Sequence, residues 1–524
     1  MSTPATTIYL CSGVPLTNRY DHTIRFSTPA AQQSYFASKT AKTFSSYAYA
    51  RKTWSIKVSS TFEAARVWSY LYFRNGTGKW FYYFINQCEY VNDATVELSL
   101  ELDVIQTYMF DWSLNPCFIE RQHSPTDIYG ENTIAEGLDT GDLVINASED
   151  IGKASGWAIM VQSTFEPNTA TESTKASKSM FTDSVFSGVG VYAVNSSDWN
   201  QLGEALSNFD SWGYSEGIVS MWMYPKQFIT LATSSQWDDE ILFKQVASMQ
   251  PSDYTLAAIP TSVDGYSPKN KKTLQYPYNF LYISNNNGAA ATYHYEKWNG
   301  REFPVFRYVG SASPEGVAKL FPRFYKGAEL NYEEGLTLTG FPTCAWNVDV
   351  YKLWLAQNQH QQATAFASAG LKIVGGIAAT AFSGGMAGVA GGGLVVSGIS
   401  DITSQLAQRA DMEIQPAQAR GAQSGTLNMV VGKQCFTAYQ KSVDKYHARV
   451  IDDYFTMFGY ACRKVDTPNI SARPNWTYVK TVGSNVTGDF AQEDIRRINE
   501  IFDHGITFWS NGATVGDYSI DNSP

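Results

Sequence analysis

Charge is scarce in this chain: Asp, Glu, Lys and Arg make up 17% of its 524 residues, against about 25% in an average soluble domain. No long run of Lys or Arg occurs, and the formal net charge is −10. A protein that grips phosphates needs a basic footprint, so tight nucleic-acid binding is not expected. A channel through which DNA slides is a different case, because a neutral or acidic wall does not hold it. Six cysteines (Cys11, Cys88, Cys117, Cys344, Cys435, Cys462) form no C-x-x-C pair. Six histidines (His22, His123, His294, His360, His447, His504) never stand at ligand spacing. Reduced, buried thiols are therefore expected, with no metal site and no disulfide scaffold. No P-loop or dinucleotide-binding glycine pattern has the right flanks, so no cofactor is expected. Met1 to Tyr9 carry neither a basic patch nor an apolar h-region, which points to assembly in a cytoplasm.

Aromatic residues, by contrast, are abundant at 14%, with 32 Tyr and 29 Phe and a run Trp80-Phe81-Tyr82-Tyr83-Phe84. Such residues favour pleated, half-buried surfaces. The expected class is α+β, β-rich: a multidomain subunit with β-barrel or β-sandwich elements. Few charges and many Tyr, Asn and Ser also suit a surface partly hidden by neighbouring subunits.

Along residues 1–150, Ser60-Thr61 can cap a helix from about Phe62 to Phe73, closed by Asn75-Gly76. Lys79–Ile85 and Thr95–Asp103 read as strands, the second alternating Val96, Leu98, Leu100 and Leu102. In residues 151–350, Trp157–Gln162, Gly188–Val194 and Gly217–Tyr224 read as strands around a helix that starts at Ser197 or Asp198. Tyr276-Pro277-Tyr278 and Asn285-Asn286-Asn287-Gly288 are turn punctuation. From Thr426 to the end the sequence is again strand-like and turn-rich, with a last helix Gln492–Asp503 stopped by Gly505.

Residues 351–425 differ in kind. Polar, Ala/Gln-rich arms flank a stretch of 28 residues between Lys372 and Asp401 that carries no charge and contains nine glycines. That length suffices for one membrane span, which takes about 20 apolar residues in helix. Each glycine costs a helix interior about 1 kcal/mol, which argues against a constitutive anchor. A glycine-rich core loop is a second reading. The third, and the expected one, is a conditional membrane segment that is kept from water inside an oligomer and later released. Its apolar residues are Ile373, Val374, Ile377, Phe382, Met386, Val389, Leu394, Val395, Val396 and Ile399.

No catalytic residue is nominated. Gly213-Tyr214-Ser215-Glu216-Gly217 matches the nucleophile-elbow pattern, but an elbow needs a strand before the serine and a helix after it, and the order here is reversed. Asp238-Asp239-Glu240, Glu333-Glu334 and Asp452-Asp453 could in principle serve a glycosidase, whose carboxylates are set by spatial separation.

Several segments, in order along nearly the whole chain, resemble the tail knob (distal tube) proteins of short-tailed, phi-twenty-nine-like bacteriophages. They are residues 8–16 (IYLCSGVPL), 87–92 (QCEYVN), 102–111 (LDVIQTYMFD) and 118–123 (FIERQH), which runs into 139–141 (DTG). Then come 267–272 (SPKNKK), 276–279 (YPYN), 473–481 (RPNWTYVKT) and 501–509 (IFDHGITFW). The resemblance implies a structural virion protein of the phage tail rather than an enzyme. It implies a homo-hexameric tube joined to collar, proximal-tail and tail-tip proteins, through which viral DNA passes without tight binding. It further implies that the 351–425 insertion plugs the tube and enters the host cell membrane during genome ejection. A tail-associated cell-wall hydrolase and a host-receptor adhesin are the alternatives. Pro15, Asn92, Pro277 and Pro474 are read as turn formers, and Trp476 and Trp509 as core.

Overall fold

The structure is a computed structural model that describes residues 5–48, 55–169, 181–182, 185–186, 189–211, 217–298, 300–312, 316–344 and 433–524. The chain forms two compact units, each assembled from separated stretches. The first comprises 1–142, 262–278 and 443–524; the second comprises 143–261 and 279–442. Both are built mainly of β-sheet, in keeping with the expected α+β, β-rich class.

The first unit contains a six-stranded antiparallel sheet in the order Thr40–Ala48, Ala5–Ser12, Trp68–Arg74, Trp80–Asn92, Thr95–Leu102, Ser55–Val58. Its central strands are buried on both faces. Tyr70, Tyr72, Tyr82 and Phe84 pack into one core, and Leu71, Phe73, Phe81 and Tyr83 into the other. This double burial corrects the helix expected over Phe62–Phe73. Thr61 does cap a helix, accepting from the Ala64 N–H, but that helix ends at Ala65 and Trp68–Arg74 is a strand. A strand buried on both faces needs an unbroken apolar run, which carries no period to separate it from a helix. The alternation of Val96, Leu98 and Leu100 is real, and all three are buried on one face.

Asp103 follows this strand and caps the short helix Val104–Tyr108, accepting from the Gln106 N–H at 3.0 Å. It also accepts from the hydroxyls of Tyr70 (2.8 Å) and Tyr20 (3.3 Å). Burial pushes its carboxyl up to about 6, against the opposing pull of these donors.

The unit's second sheet has five strands, in the order Thr23–Ile24, Ile506–Trp509, Trp476–Val482, Cys117–Gln122, Tyr460–Asp466. Trp476 and Trp509 are buried, their rings 4.9 Å apart and tilted by 36°. The unit also holds a 14-residue helix, Lys445–Phe458, in a region read as strand and turn. Its apolar face, Ala448, Ile451 and Phe455, is interrupted by the buried Asp452 and surrounded by β-favouring Tyr, Val and Thr, so the helical period is weak in sequence. Gly459 ends it at φ +64, where a Cβ would lie 2.4 Å from the Gln122 carbonyl oxygen; only glycine fits. The last helix, Gln492–His504, ends at Gly505 as its sequence pattern indicates.

Among the described residues, the second unit holds three larger sheets and the two-stranded pair Phe181–Thr182 with Val185–Phe186. One runs Ile229–Leu231, Lys244–Met249, Gly190–Asn195, Trp157–Ser163, Ile218–Pro225, Thr343–Cys344. A five-stranded sheet is centred on Val305–Ser311 and Val317–Tyr325, with Leu336–Leu338 paired to the latter. A four-stranded sheet runs Leu143–Ile151, Phe436–Val443, Asn279–Ser284, Ala290–Tyr293.

Asp452, on helix Lys445–Phe458 of the first unit, is a heavily bonded carboxylate. Fully buried, it accepts from Tyr266 Oη (2.8 Å), the backbone N–H groups of Lys269 (2.8 Å) and Asn270 (2.9 Å), and Asn270 Nδ2 (2.9 Å). Removing the acceptor strands several buried donors, each at a cost of about 1–3 kcal/mol. Asp452→Ala should therefore lose about 3–5 kcal/mol of unfolding free energy in chemical denaturation, and Asp453→Ala well under 1 kcal/mol.

Candidate functional site

Of the carboxylates weighed for a glycosidase, Asp239 and Glu334 are engaged by neighbouring groups. Asp239 accepts from the Gln236 and Ile241 N–H groups and lies 3.5 Å from Lys244 Nζ. Glu334 pairs with Lys326. Helix Trp199–Ser211 precedes the G-x-S-x-G segment and strand Ile218–Pro225 follows it, the reverse of an elbow; Ser215 lies outside the described residues. Among the described residues, no group of three His, Cys, Asp or Glu side chains is placed to hold a metal ion. Cys11, Cys88, Cys117, Cys435 and Cys462 are free thiols; burial pushes those of Cys11 and Cys435 up to about 12.

Three of the segments that carried the resemblance meet around helix Lys445–Phe458. From 267–272, Lys269 and Asn270 bond Asp452, and Lys272 pairs with the buried Glu136 at 2.5 Å. Arg121, from 118–123, pairs with the same Glu136, so one carboxylate serves two cations. From 473–481, Trp476 Nε1 donates to the Thr456 carbonyl at 2.9 Å. His123 reaches that same carbonyl at 3.1 Å through Nε2, while its Nδ1 accepts the Tyr478 N–H at 2.8 Å. The acceptor role of Nδ1 fixes the proton on Nε2 and leaves the ring neutral. Burial, with the Arg473 and Arg121 guanidinium groups adding to it, pushes the imidazole down to about 3. These residues bind the helix Lys445–Phe458 to the segments around it.

The ten residues proposed for membrane contact, Ile373 to Ile399, lie outside the described residues, as does all of 345–432. The two stems that bracket this insertion are described. The departing stem runs through Leu336–Leu338, paired with Ala318–Leu320, and on to Thr343–Cys344, paired with Met221–Trp222. The Met223 N–H donates to the Pro342 carbonyl at 2.8 Å. On the returning stem, Lys433 Nζ lies 3.0 and 3.2 Å from the two Asp150 oxygens, and Thr437 Oγ1 donates to Asp150 at 2.8 Å. Burial alone would raise Asp150, but Lys433 and Thr437 outweigh it and hold the carboxyl below its ordinary value.

Both stems are bound by one hairpin loop, Asn285–Ala289, which joins the paired strands Asn279–Ser284 and Ala290–Tyr293. Asn285 Nδ2 donates to the Thr337 carbonyl (2.7 Å) and Asn287 Nδ2 to that of Thr339 (3.3 Å), both on the departing side. Asn286 Nδ2 donates to the Cys435 carbonyl (2.8 Å) and Thr437 Oγ1 (3.0 Å), on the returning side. Gln434 Nε2 completes the junction by donating to the Thr339 carbonyl at 3.2 Å. Asn285 Oδ1 shapes the loop by accepting from the Asn287 and Ala289 N–H groups, and Asn286 takes φ +55, which asparagine tolerates. The sequence marks these asparagines as a turn; their grip on both stems had no sequence signal.

Comparison with known proteins places the chain. Residues 243–523 match the family model for the C-terminal domain of the Bacillus phage phi29 tail knob protein gp9. The chain belongs to the phi29 gp9 tail knob family. Residues 4–113 match a second model, the caudoviral major tail protein N-terminus. The gp9 tail knob proteins of Bacillus phages B103 and phi29 are 25% and 23% identical to it, each aligned over 99% of this chain and 98% of theirs. The solved structure of the bacteriophage C1 tail knob protein gp12 shares its fold, with a TM-score of 0.63 at 15% identity over 97% of both chains. The chain is thus a structural tail knob protein of a bacteriophage.

The buried histidine of this tail knob protein makes a pH prediction. A folded value near 3 lies below the ordinary 6.5, so between these values the unfolded state binds the proton and stability falls as pH falls. Asp103, raised to about 6, acts in the opposite sense from pH 6 downward. His123→Gln isolates the histidine: its stability deficit relative to wild type should narrow on acidification below pH 6.5, by up to about 1.4 kcal/mol per pH unit. A deficit that stays constant down to pH 4 contradicts the assignment.

Proposed function

We propose that the protein is the distal tube of the tail: a homo-hexamer whose lumen is the exit channel for viral DNA, with the 351–425 insertion as its membrane-active part. The observation that carries this reading is tail knob family membership across the chain, combined with the 28 uncharged residues between Lys372 and Asp401. In the resting particle the insertion plugs the tube; on release, Ile373, Val374, Ile377, Phe382, Met386, Val389, Leu394, Val395, Val396 and Ile399 enter the host membrane. Nine glycines weaken any helix in water, which suits a segment that refolds on release, and small residues let six copies pack closely around a pore.

Exposed apolar side chains support assembly with further copies and with collar, proximal-tail and tip proteins. Val465, Phe118 and Val482 are 74%, 38% and 54% exposed and face one another in register across three adjacent strands. Such rows mark surfaces that a partner covers. The lumen is neutral to acidic, in line with the net charge of −10, because each phosphate neutralised by a basic wall would add affinity and hold the genome. Assembly takes place in the host cytoplasm.

Two outcomes follow. The assembled protein should retain no duplex DNA in a filter-binding assay at physiological salt; saturable retention would contradict the lumen assignment. Replacing residues 373–400 by a short Gly/Ser linker should leave the oligomer intact by light scattering and abolish dye release from liposomes. Dye release equal to wild type would remove the membrane role from this segment.

A further inference from the structure

We infer that the Asn285–Ala289 hairpin loop is a coupling latch: it joins the two stems of the insertion into one unit, so that neither loosens without the other. The bonding pattern carries the inference. Consecutive asparagine amides alternate between the stems, Asn285 and Asn287 holding Thr337 and Thr339, and Asn286 holding Cys435 and Thr437. The loop's own geometry depends on Asn285 Oδ1, whose two N–H donors are Asn287 and Ala289. A disturbance at Asn286 therefore reaches the departing stem through the loop backbone, and Gln434 provides a second, direct link to Thr339. Asn285 is buried, so leaving its amide partly satisfied is costly, which favours keeping its bonds intact together. Asp150, bonded to Lys433 and Thr437, fastens the returning stem to the strand Leu143–Ile151. The latch makes Asn285, Asn286 and Asn287 positioning residues for the insertion. That functional part rests on the proposed membrane role; the coupling itself does not.

The test is hydrogen–deuterium exchange on the full-length, assembled protein. Asn286→Ala removes the bonds to the Cys435 carbonyl and Thr437 Oγ1 on the returning stem. The inference predicts faster exchange, by tenfold or more, both at 433–437 and at 336–344, with strands Trp157–Ser163 and Ile218–Val219 unchanged. Faster exchange confined to 433–437 overturns it. Should Asn286→Ala fail to fold, Gln434→Ala, which removes the hydrogen bond to the Thr339 carbonyl, must also loosen both stems together; an effect on one alone is equally decisive against coupling. Liposome dye release measured on the same variants separates the two readings. Coupled loosening with dye release reduced severalfold supports the positioning role, and coupled loosening with wild-type release overturns that role. Absence of release from the wild-type protein overturns the membrane reading and leaves the coupling to be judged by exchange.

Discussion

Three asparagine side-chain amides bear the constraint on which the second unit depends. The strand Phe436–Val443 pairs with Asn279–Ser284, yet it follows residues 351–425, read from the sequence as a long insertion. Closing such a loop costs entropy, but only slowly with length, about 0.6 kcal/mol per doubling. A family can therefore carry a large insertion provided its ends are fixed locally. Here both ends are fixed, by carbonyls that accept from Asn285, Asn286, Asn287 and Gln434 and by the Asp150–Lys433 pair.

The low charge of the chain has a structural counterpart in the first unit. Three buried carboxylates are each shared among several partners: Asp452 serves the loop that carries Tyr266, Lys269 and Asn270, Glu136 serves Arg121 and Lys272, and Asp103 serves two tyrosines and a helix N-terminus. A buried carboxylate is tolerable only when hydrogen-bonded from several sides. The short segments 118–123, 267–272 and 473–481, which carried the resemblance, contribute to such bonding. They are the donor and acceptor sets of one buried network around helix Lys445–Phe458.

How much of this was legible in the sequence depended on whether burial was one-sided. Thr95–Leu102 buries one face, and its alternation gave both strand and orientation. The helix Gln492–His504, amphipathic and closed by glycine, was equally readable. Trp68–Arg74 buries both faces, so its period vanished and a helix was expected in its place. Helix Lys445–Phe458 was missed because Asp452 occupies a core position that only its distant donors, Tyr266 and Asn270, make tenable. The stem junction was invisible for the same reason: Asn285–Asn287 announce a turn, while their partners lie 52 and about 150 positions away. The composition of 373–400, by contrast, needed no structure to be noticed.

The central claim is a six-fold tube that meets a bilayer at one end. Electron microscopy of the full-length protein mixed with liposomes tests it most directly. The account predicts class averages with six-fold symmetry and an open central hole, seated by one rim on the membrane. Monomers throughout, or rings that never associate with the bilayer, would contradict it.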